Sequence, residues 1–122
     1  MSSHQIAEQV ADNYMRSLSE GDLDGVMALY ADDATVEDPV GTAPLKGKAA
    51  IGAFYQKTID LKVKAERTGH VRYAAGEMVF PFVVTSNAGD TPMHIEVIDH
   101  FVLNEDNLIV AMRAFWSEAN MR

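Results

Sequence analysis

Two neighbouring stretches, Glu77–Ser86 (EMVFPFVVTS) and Pro92–Leu103 (PMHIEVIDHFVL), decide the fold of this chain. Both are rich in the β-branched and aromatic residues that are typical of strands. The segment between them, Asn87–Thr91, contains Ala-Gly-Asp and predicts a hairpin turn. Strands that are joined by such a short turn pair in the antiparallel sense. The centre of the molecule is therefore predicted to be an antiparallel β-hairpin.

The rest of the chain places helices before most of the strands. Amphipathic stripes in the first half predict three helices, and alternating patterns in the second half predict further strands. The predicted helices are one capped by Ser2 and stopped by Gly21, a shorter one over Asp22–Ala31, and a third that opens at Lys46–Lys48; the added strands are Leu61–Thr68, His70–Ala75 and Leu108–Glu118. This order is typical of the α+β class, and 122 residues suggest one domain.

The stretch Leu29–Gly41 (LYADDATVEDPVG) contains the carboxylate that we expect to be the chemical centre, Asp38. Alternation puts Ala34, Val36 and Asp38 on one face of a short strand. Pro39 biases the backbone of Asp38 toward an extended conformation, and the chain turns directly afterwards. An acid at the rim of an apolar face is well placed to be a general base. The alternative is a solvated residue in an Asp-Pro turn.

Asp99 is the one polar residue in a row of inward positions on the predicted Pro92–Leu103 strand. The other members of that row are Ile95, Val97, Phe101 and Leu103. Burying an ionised carboxylate without a partner is costly, so its pKa should rise until the group is neutral and can donate a hydrogen bond. The alternative is an aspartate that is paired with Arg72, with Arg113 or with a backbone amide.

Three tyrosines, Tyr14, Tyr30 and Tyr55, fall on the predicted inward faces of the three helices. A single tyrosine in such a position is usually a core residue whose hydroxyl is hydrogen-bonded. Three tyrosines near an inward acid leave a second interpretation open. They could form a chain of hydroxyls that polarises its last member.

Composition and motifs exclude several classes of function. The net charge of −8 and the lack of a basic run argue against nucleic acid and anionic membranes as partners. Cysteine is absent, and the four histidines show no metal-ligand spacing, so we expect no metal site. No nucleophile elbow, phosphate loop or dinucleotide fingerprint is present. Without a signal-peptide pattern or a membrane-length apolar run, we expect a cytoplasmic protein.

Both faces of the predicted sheet are partly apolar. Outer positions include Val79, Pro81 and Val83 on one strand and Ile98 and Val102 on the next. The three helices and a cavity can cover one face, but no element remains in the chain for the other. We therefore expect a homodimer that forms through the outer face.

At these residues the sequence resembles the bacterial steroid delta-isomerases, the 3-oxo-Δ5-ketosteroid isomerases of the NTF2-like and SnoaL-like superfamily. The most specific match is the run Tyr30–Gly41. The resemblance extends nearly end to end and includes Gly21–Gly25, Ala53–Tyr55, Ile98–Phe101 and Met112–Ala114 with Ser117, Glu118 and Asn120. It implies one domain over residues 1–122, with a conical, strongly curved antiparallel sheet (the cystatin-like cone), three helices and dimerisation through the sheet.

The resemblance also implies a role for each candidate residue. Asp38 matches the base of the family, Tyr14 and Asp99 match its oxyanion donors, and Tyr30 and Tyr55 match the tyrosines behind Tyr14. The family is a well-known example of a tyrosine and a protonated aspartate sharing an oxyanion hole, so these roles rest on the resemblance. Apolar pocket positions are matched by Trp116, Phe54, Phe82, Val84 and Met112.

The implied activity converts 3-oxo-Δ5 steroids to 3-oxo-Δ4 steroids without a cofactor. Asp38 would carry a proton from C4 to C6 through a dienolate that Tyr14 and Asp99 hold. Two alternatives stay open: a polyketide cyclase or dehydratase on the same fold, and a non-catalytic module that binds a hydrophobic ligand. Ser86, at a position that can be aromatic in relatives, and the Asn87–Pro92 turn depart from the family pattern.

Overall fold

The computed structural model describes residues 1–122 as three α-helices packed on one curved, seven-stranded sheet. This arrangement confirms the α+β class and the three-helix, curved-sheet architecture. The elements are α1 (Ser3–Glu20), α2 (Leu23–Met27), β1 (Tyr30–Glu37), β2 (Leu45–Lys46), α3 (Lys48–Asp60), β3 (Val63–Arg67), β4 (Arg72–Ala74), β5 (Glu77–Ser86), β6 (Met93–Leu103), β7 (Ile109–Phe115) and a 3₁₀ turn (Glu118–Asn120).

Helix α1 begins and ends where the sequence predicts. The Ser2 hydroxyl accepts the backbone N–H of Gln5, and the Gln5 side chain accepts the N–H of Ser2, which forms a capping box. Gly21 ends the helix in the left-handed conformation that glycine adopts at low cost. Between these caps, one face of α1 is buried, and this face carries Tyr14 and Leu18 toward the sheet.

Strands β5 and β6 form the predicted central hairpin. They pair in the antiparallel sense from Glu77 opposite Val102 to Ser86 opposite Met93. The full strand order is β2-β1-β7-β6-β5-β3, and β4 also pairs with β5. The inner face of this sheet, together with α1 and α3, encloses the hydrophobic core.

One pair of strands, β1 and β7, is parallel, unlike the short-turn pairs that the sequence predicts to be antiparallel. Glu37 lies opposite Arg113, and Val36 lies opposite Met112. These two strands are far apart in sequence, so no tight turn fixes their relative direction. Because they run the same way, the carboxyl ends of both strands meet at one edge of the core.

The second helix is shorter than the predicted Asp22–Ala31 segment and ends at Met27. Tyr30 opens β1 instead, where it lies opposite Ile109. A five-residue helix containing Gly25 has little intrinsic stability, so pairing with β7 determines the conformation of the following residues. Tyr30 therefore reaches the core from a strand and not from a helix.

The outer face of the sheet retains an exposed apolar patch. Ile98 and Phe115 are 48% and 45% exposed, and Ile98 lies opposite both Phe115 and Pro81 in the ladder. None of the helices combines the length and apolarity that crossing a lipid bilayer requires. The patch Pro81–Ile98–Phe115, called the outer patch below, thus runs across three neighbouring strands.

Candidate active site

A cavity of about 270 Å³ lies between α1, α3 and the inner face of the sheet, and most of its wall is apolar. The structure brings most of the sequence-predicted site residues to this cavity. They are Tyr14, Asp38, Phe54, Tyr55, Phe82, Val84, Asp99 and Trp116. No group of three or more His, Cys, Asp or Glu side chains is placed to hold a metal ion.

Asp99 is buried in the cavity wall without an ion-pair partner. Asp99 is 1% exposed, and its Oδ2 has no hydrogen-bond partner. Arg72 donates to the carbonyl of His70, and Arg113 donates to Glu37, so neither arginine forms the alternative pair. Burial raises the pKa of Asp99 well above its ordinary value, and the nearby charge of Asp38 raises it further. The neutral form of Asp99 is therefore favoured, and its Oδ2 has no hydrogen-bond partner within the protein.

The three tyrosines form a chain of hydroxyls with Tyr55 in the middle. The Tyr55 oxygen lies 2.8 Å from that of Tyr14 and 2.5 Å from that of Tyr30. Tyr14 and Tyr55 line the cavity, whereas Tyr30 lies behind them in the core. Burial is the main cause that raises the pKa of all three phenols well above the ordinary value. The hydroxyl chain thus ends at the cavity in Tyr14.

Asp38 lies at the rim of the cavity and is half-buried. Its Oδ1 accepts a hydrogen bond of 2.7 Å from the indole Nε1 of Trp116. Burial raises the pKa of Asp38, and the indole hydrogen bond lowers it. Asp38 and Trp116 meet because each follows the carboxyl end of a parallel strand. The sequence predicted Trp116 only as part of the apolar wall and did not reveal its role as a donor.

Glu37 fixes the turn that follows Asp38. One of its oxygens accepts the backbone N–H of Gly41 at 2.7 Å, and the other accepts Nε of Arg113 at 3.1 Å. The Gly41 hydrogen bond, followed by that of Arg113, lowers the pKa of Glu37. Beyond the turn, the N–H of Val40 donates to the carbonyl of Ala114. Both chain directions out of Asp38 are therefore held by β7.

Two predicted site residues lie behind the cavity and not in its wall. Met112 is fully buried in the core, opposite Phe101 and Val36 in the sheet, and does not line the cavity. Tyr30 reaches the site only through Tyr55. Ser86, which the sequence singled out as a departure from the family pattern, also lines the wall, and the wall contains residues that the prediction missed: Leu18, one turn after Tyr14, and Thr58, one turn after Phe54, with Leu61, Val63, Ile95 and Val97. Helical spacing alone would have placed the first two.

The sequence profile of the SnoaL-like domain matches residues 11–112, which is most of the chain. The chain belongs to the SnoaL-like family. One curated relative is the steroid Delta-isomerase of Nocardioides simplex, which is 42% identical over 108 residues. That match covers 88% of this chain and 87% of the relative, so the family resemblance inferred from the residues is confirmed.

Other proteins that resemble this chain are named for different chemistry. The epoxide hydrolase LasB of Streptomyces lasalocidi is 31% identical over 121 residues, which is 95% of this chain but 43% of LasB. The solved structure of the epoxide hydrolase/cyclase-like enzyme SalBIII, described for pyran ring formation in the polyether salinomycin, is 27% identical. It superposes with a TM-score of 0.90 over 99% of this chain and 98% of the other. The fold is shared between the two kinds of chemistry.

Proposed function

We propose that this protein is a steroid delta-isomerase that moves the double bond of 3-oxo-Δ5 steroids into conjugation with the ketone. The observation that carries the proposal is the buried, unpartnered Asp99 in the wall of the cavity that also holds Asp38 and Tyr14. A base and two donors in one apolar cavity are what a dienolate intermediate requires. The 42% identity to a steroid Delta-isomerase supports an isomerase-type enzyme.

In the first step, the Asp38 carboxylate removes a proton from C4 of the steroid. The C4–H electrons form a C3–C4 double bond, and the carbonyl electrons move onto the C3 oxygen. Tyr14 and neutral Asp99 donate hydrogen bonds to that oxygen as its negative charge develops. These donors are held in an apolar cavity, where such bonds are stronger than in water.

In the second step, Asp38 returns the same proton to C6. The dienolate electrons move back, the double bond comes to lie between C4 and C5, and the ketone is restored. No proton or electron is gained or lost, so the reaction needs no cofactor. Burial raises the pKa of Asp38, but the Trp116 N–H offsets part of that rise and so favours the carboxylate form that the first step needs.

Absorbance at the enone band tests the proposal directly. Purified protein mixed with 5-androstene-3,17-dione should produce the conjugated enone, and Asp38→Asn should not. A module that only binds hydrophobic ligands would bind the dione and leave its spectrum unchanged. Absence of enone formation by wild-type protein that binds the dione would overturn the proposed activity.

The second candidate function is an epoxide-opening cyclase, which the likeness to LasB and SalBIII favours. In that reaction Asp38 would take the proton of a ligand hydroxyl while neutral Asp99 donates a proton to the epoxide oxygen. The hydroxyl oxygen would bond to the epoxide carbon as the C–O bond of the epoxide at that carbon breaks, which gives a cyclic ether and an alcohol. A hydroxy-epoxide probe that is cyclised by a protein inert toward the dione would replace the isomerase assignment.

The outer patch supports a homodimer as the working form. Ile98 and Phe115 are large, exposed and adjacent across the β6–β7 ladder, and no element of this chain covers them. Two copies related by a two-fold axis would bury these faces against each other. Sedimentation should therefore give about twice the chain mass of 13.4 kDa, and Ile98→Lys should give the chain mass. A wild-type protein that sediments as a monomer would contradict the dimer.

A further inference from the structure

Two of the polar side chains in the cavity wall have no role in the proposed isomerisation. Apart from Tyr14, Tyr55, Asp38, Asp99 and Trp116, the wall is apolar except at two hydroxyls. They belong to Thr58 and Ser86.

Both hydroxyls lie toward the end of the cavity that is remote from Asp99. Asp99 is opposite Phe80 on β5, and Ser86 follows Phe80 by six residues. At about 3.3 Å per residue, this is roughly 20 Å along the strand, and the curvature of the sheet shortens the direct path. Thr58 lies one helical turn before Leu61, whose carbonyl contacts Ser86. The cavity thus has a reactive end at Asp99 and a distal end at Ser86.

The hydrogens of both hydroxyls are already committed to the protein. Ser86 donates to the carbonyl of Leu61 at 3.0 Å, and Thr58 donates to the carbonyl of Phe54 at 3.2 Å. A carbonyl oxygen can only accept, so the hydroxyl is the donor in both of these hydrogen bonds. The distal end therefore offers oxygen lone pairs to a ligand and no free donor.

An acceptor-only end discriminates between the two common oxygen groups of a ligand. A ligand hydroxyl can donate to Ser86 or Thr58 without disturbing the protein. A ligand ketone can only accept, so it must either stay unpaired or turn a hydroxyl away from its carbonyl partner. A site that is built to pair with a ligand O–H group disfavours the analogue that lacks one.

We propose that Ser86, assisted by Thr58, is a specificity-determining residue that selects ligands with a hydroxyl at the end remote from the oxyanion donors. For a steroid whose A ring faces Asp99, this is a hydroxyl and not a ketone at C17. The assignment rests on the proposed function, since that function defines which end of the ligand meets Asp99. It narrows the substrate class to 17-hydroxy 3-oxo-Δ5 steroids.

Two fluorescent phenolic steroids test the assignment by binding alone. Equilenin carries a ketone at C17, and 17β-dihydroequilenin carries a hydroxyl there, while their phenolic rings are the same. Wild-type protein should bind the hydroxyl compound about 2- to 12-fold more tightly, the affinity equivalent of one net hydrogen bond. Ser86→Ala should bring this ratio close to one by weakening only the hydroxyl compound, and Thr58→Val should lower it less.

Thr85→Ala is the matched control, because Thr85 is the neighbouring hydroxyl on β5 and pairs with His94 outside the cavity. Its affinity ratio should equal that of wild type. Equal affinities in wild type, a preference for the ketone, or a ratio that survives both Ser86→Ala and Thr58→Val would each overturn the assignment while leaving the isomerase proposal intact. Failure of both phenols to bind, together with no enone formation from the dione, would overturn both.

Discussion

The surroundings of Asp38 and Asp99 differ although both carboxyls line one cavity. Asp99 lies in the middle of β6, is 1% exposed and has a buried oxygen without a donor. Asp38 follows the end of β1, is half-buried and accepts the indole N–H of Trp116. Burial raises the pKa of both, but only Asp38 has a hydrogen bond that lowers it. One N–H donor and a difference in burial therefore separate the proposed base from the proposed acid.

The largest expected effect comes from removing the base. Asp38→Asn keeps the size and one acceptor oxygen for Trp116 but cannot take a proton from C4. We expect kcat for 5-androstene-3,17-dione to fall by several orders of magnitude, with an unchanged unfolding transition. Initial rates at the enone band provide the measurement. Activity within about tenfold of wild type would remove Asp38 from the mechanism.

Removing either oxyanion donor should have the next largest effect. Tyr14→Phe and Asp99→Leu should each lower kcat by about 10² to 10³, the range for loss of one such donor. Phe80→Leu is the control, because Phe80 lies opposite Asp99 in the sheet and carries no polar group. It should have a much smaller effect on kcat. A loss of less than tenfold in both donor variants would show that the C3 oxygen is stabilised elsewhere.

Asp99→Leu also tests the protonation state through stability. We expect wild-type Asp99 to keep its proton when folded, because burial raises its pKa, and to lose it when unfolded above the ordinary pKa of about 3.9. Because the folded pKa of Asp99 is raised, its contribution to the free energy of unfolding is complete below the unfolded pKa of about 3.9. The contribution decreases by about 1.4 kcal/mol per pH unit as the pH rises, until the folded pKa is reached. Urea unfolding should therefore show that the free energy of unfolding of the variant, relative to that of wild type, increases between pH 5 and pH 8. A variant that is greatly destabilised at both pH values would instead identify Asp99 as a structural residue.

Binding of equilenin sharpens the contrast between the two acids. Its phenolic ring resembles the dienolate, whose formation leaves Asp38 neutral. Asp38→Asn imitates that neutral form and should bind equilenin about tenfold more tightly, whereas Asp99→Leu loses a donor and should bind it about tenfold more weakly. Fluorescence titration compares the three proteins. Changes in the same direction would contradict the division of roles.

The smallest expected effect concerns the indole donor. Trp116→Phe keeps an aromatic wall but removes the hydrogen bond that lowers the pKa of Asp38. The pKa of Asp38 should rise, so the acid limb of the kcat/KM profile should move to higher pH and activity at low pH should fall about 2- to 12-fold. Phe54→Leu alters the same wall without touching Asp38 and should leave that limb in place. If the acid limb of the kcat/KM profile does not move in Trp116→Phe, the indole packs in the wall without lowering the pKa of Asp38.

Local patterns in the sequence predicted the central hairpin, α1 and the inward positions of Asp99 and Tyr14, because alternation and capping are local properties. They failed at Tyr30, since the spacing of Val26, Met27 and Tyr30 fits a helix as well as it fits the observed end of α2 and start of β1. Only pairing with β7 decides between them. The indole bond to Asp38 was missed for the same reason, because it depends on a parallel pairing that no nearby turn specifies.

The position of Tyr55 in the middle of the tyrosine chain determines which way the hydroxyl protons point. Three hydroxyls carry three protons, but the chain contains only two internal hydrogen bonds, so one proton has no partner in the chain: that of Tyr30, that of Tyr14, or that of Tyr55 if Tyr55 accepts from both neighbours. At the Tyr30 end, that proton would be buried without an acceptor, which is costly. Tyr30 therefore donates to Tyr55, and the free proton belongs to Tyr14 or Tyr55. Both of these tyrosines line the cavity, so a hydroxyl proton is available to a ligand there. This orientation is imposed from the buried end of the chain by a residue that does not line the cavity.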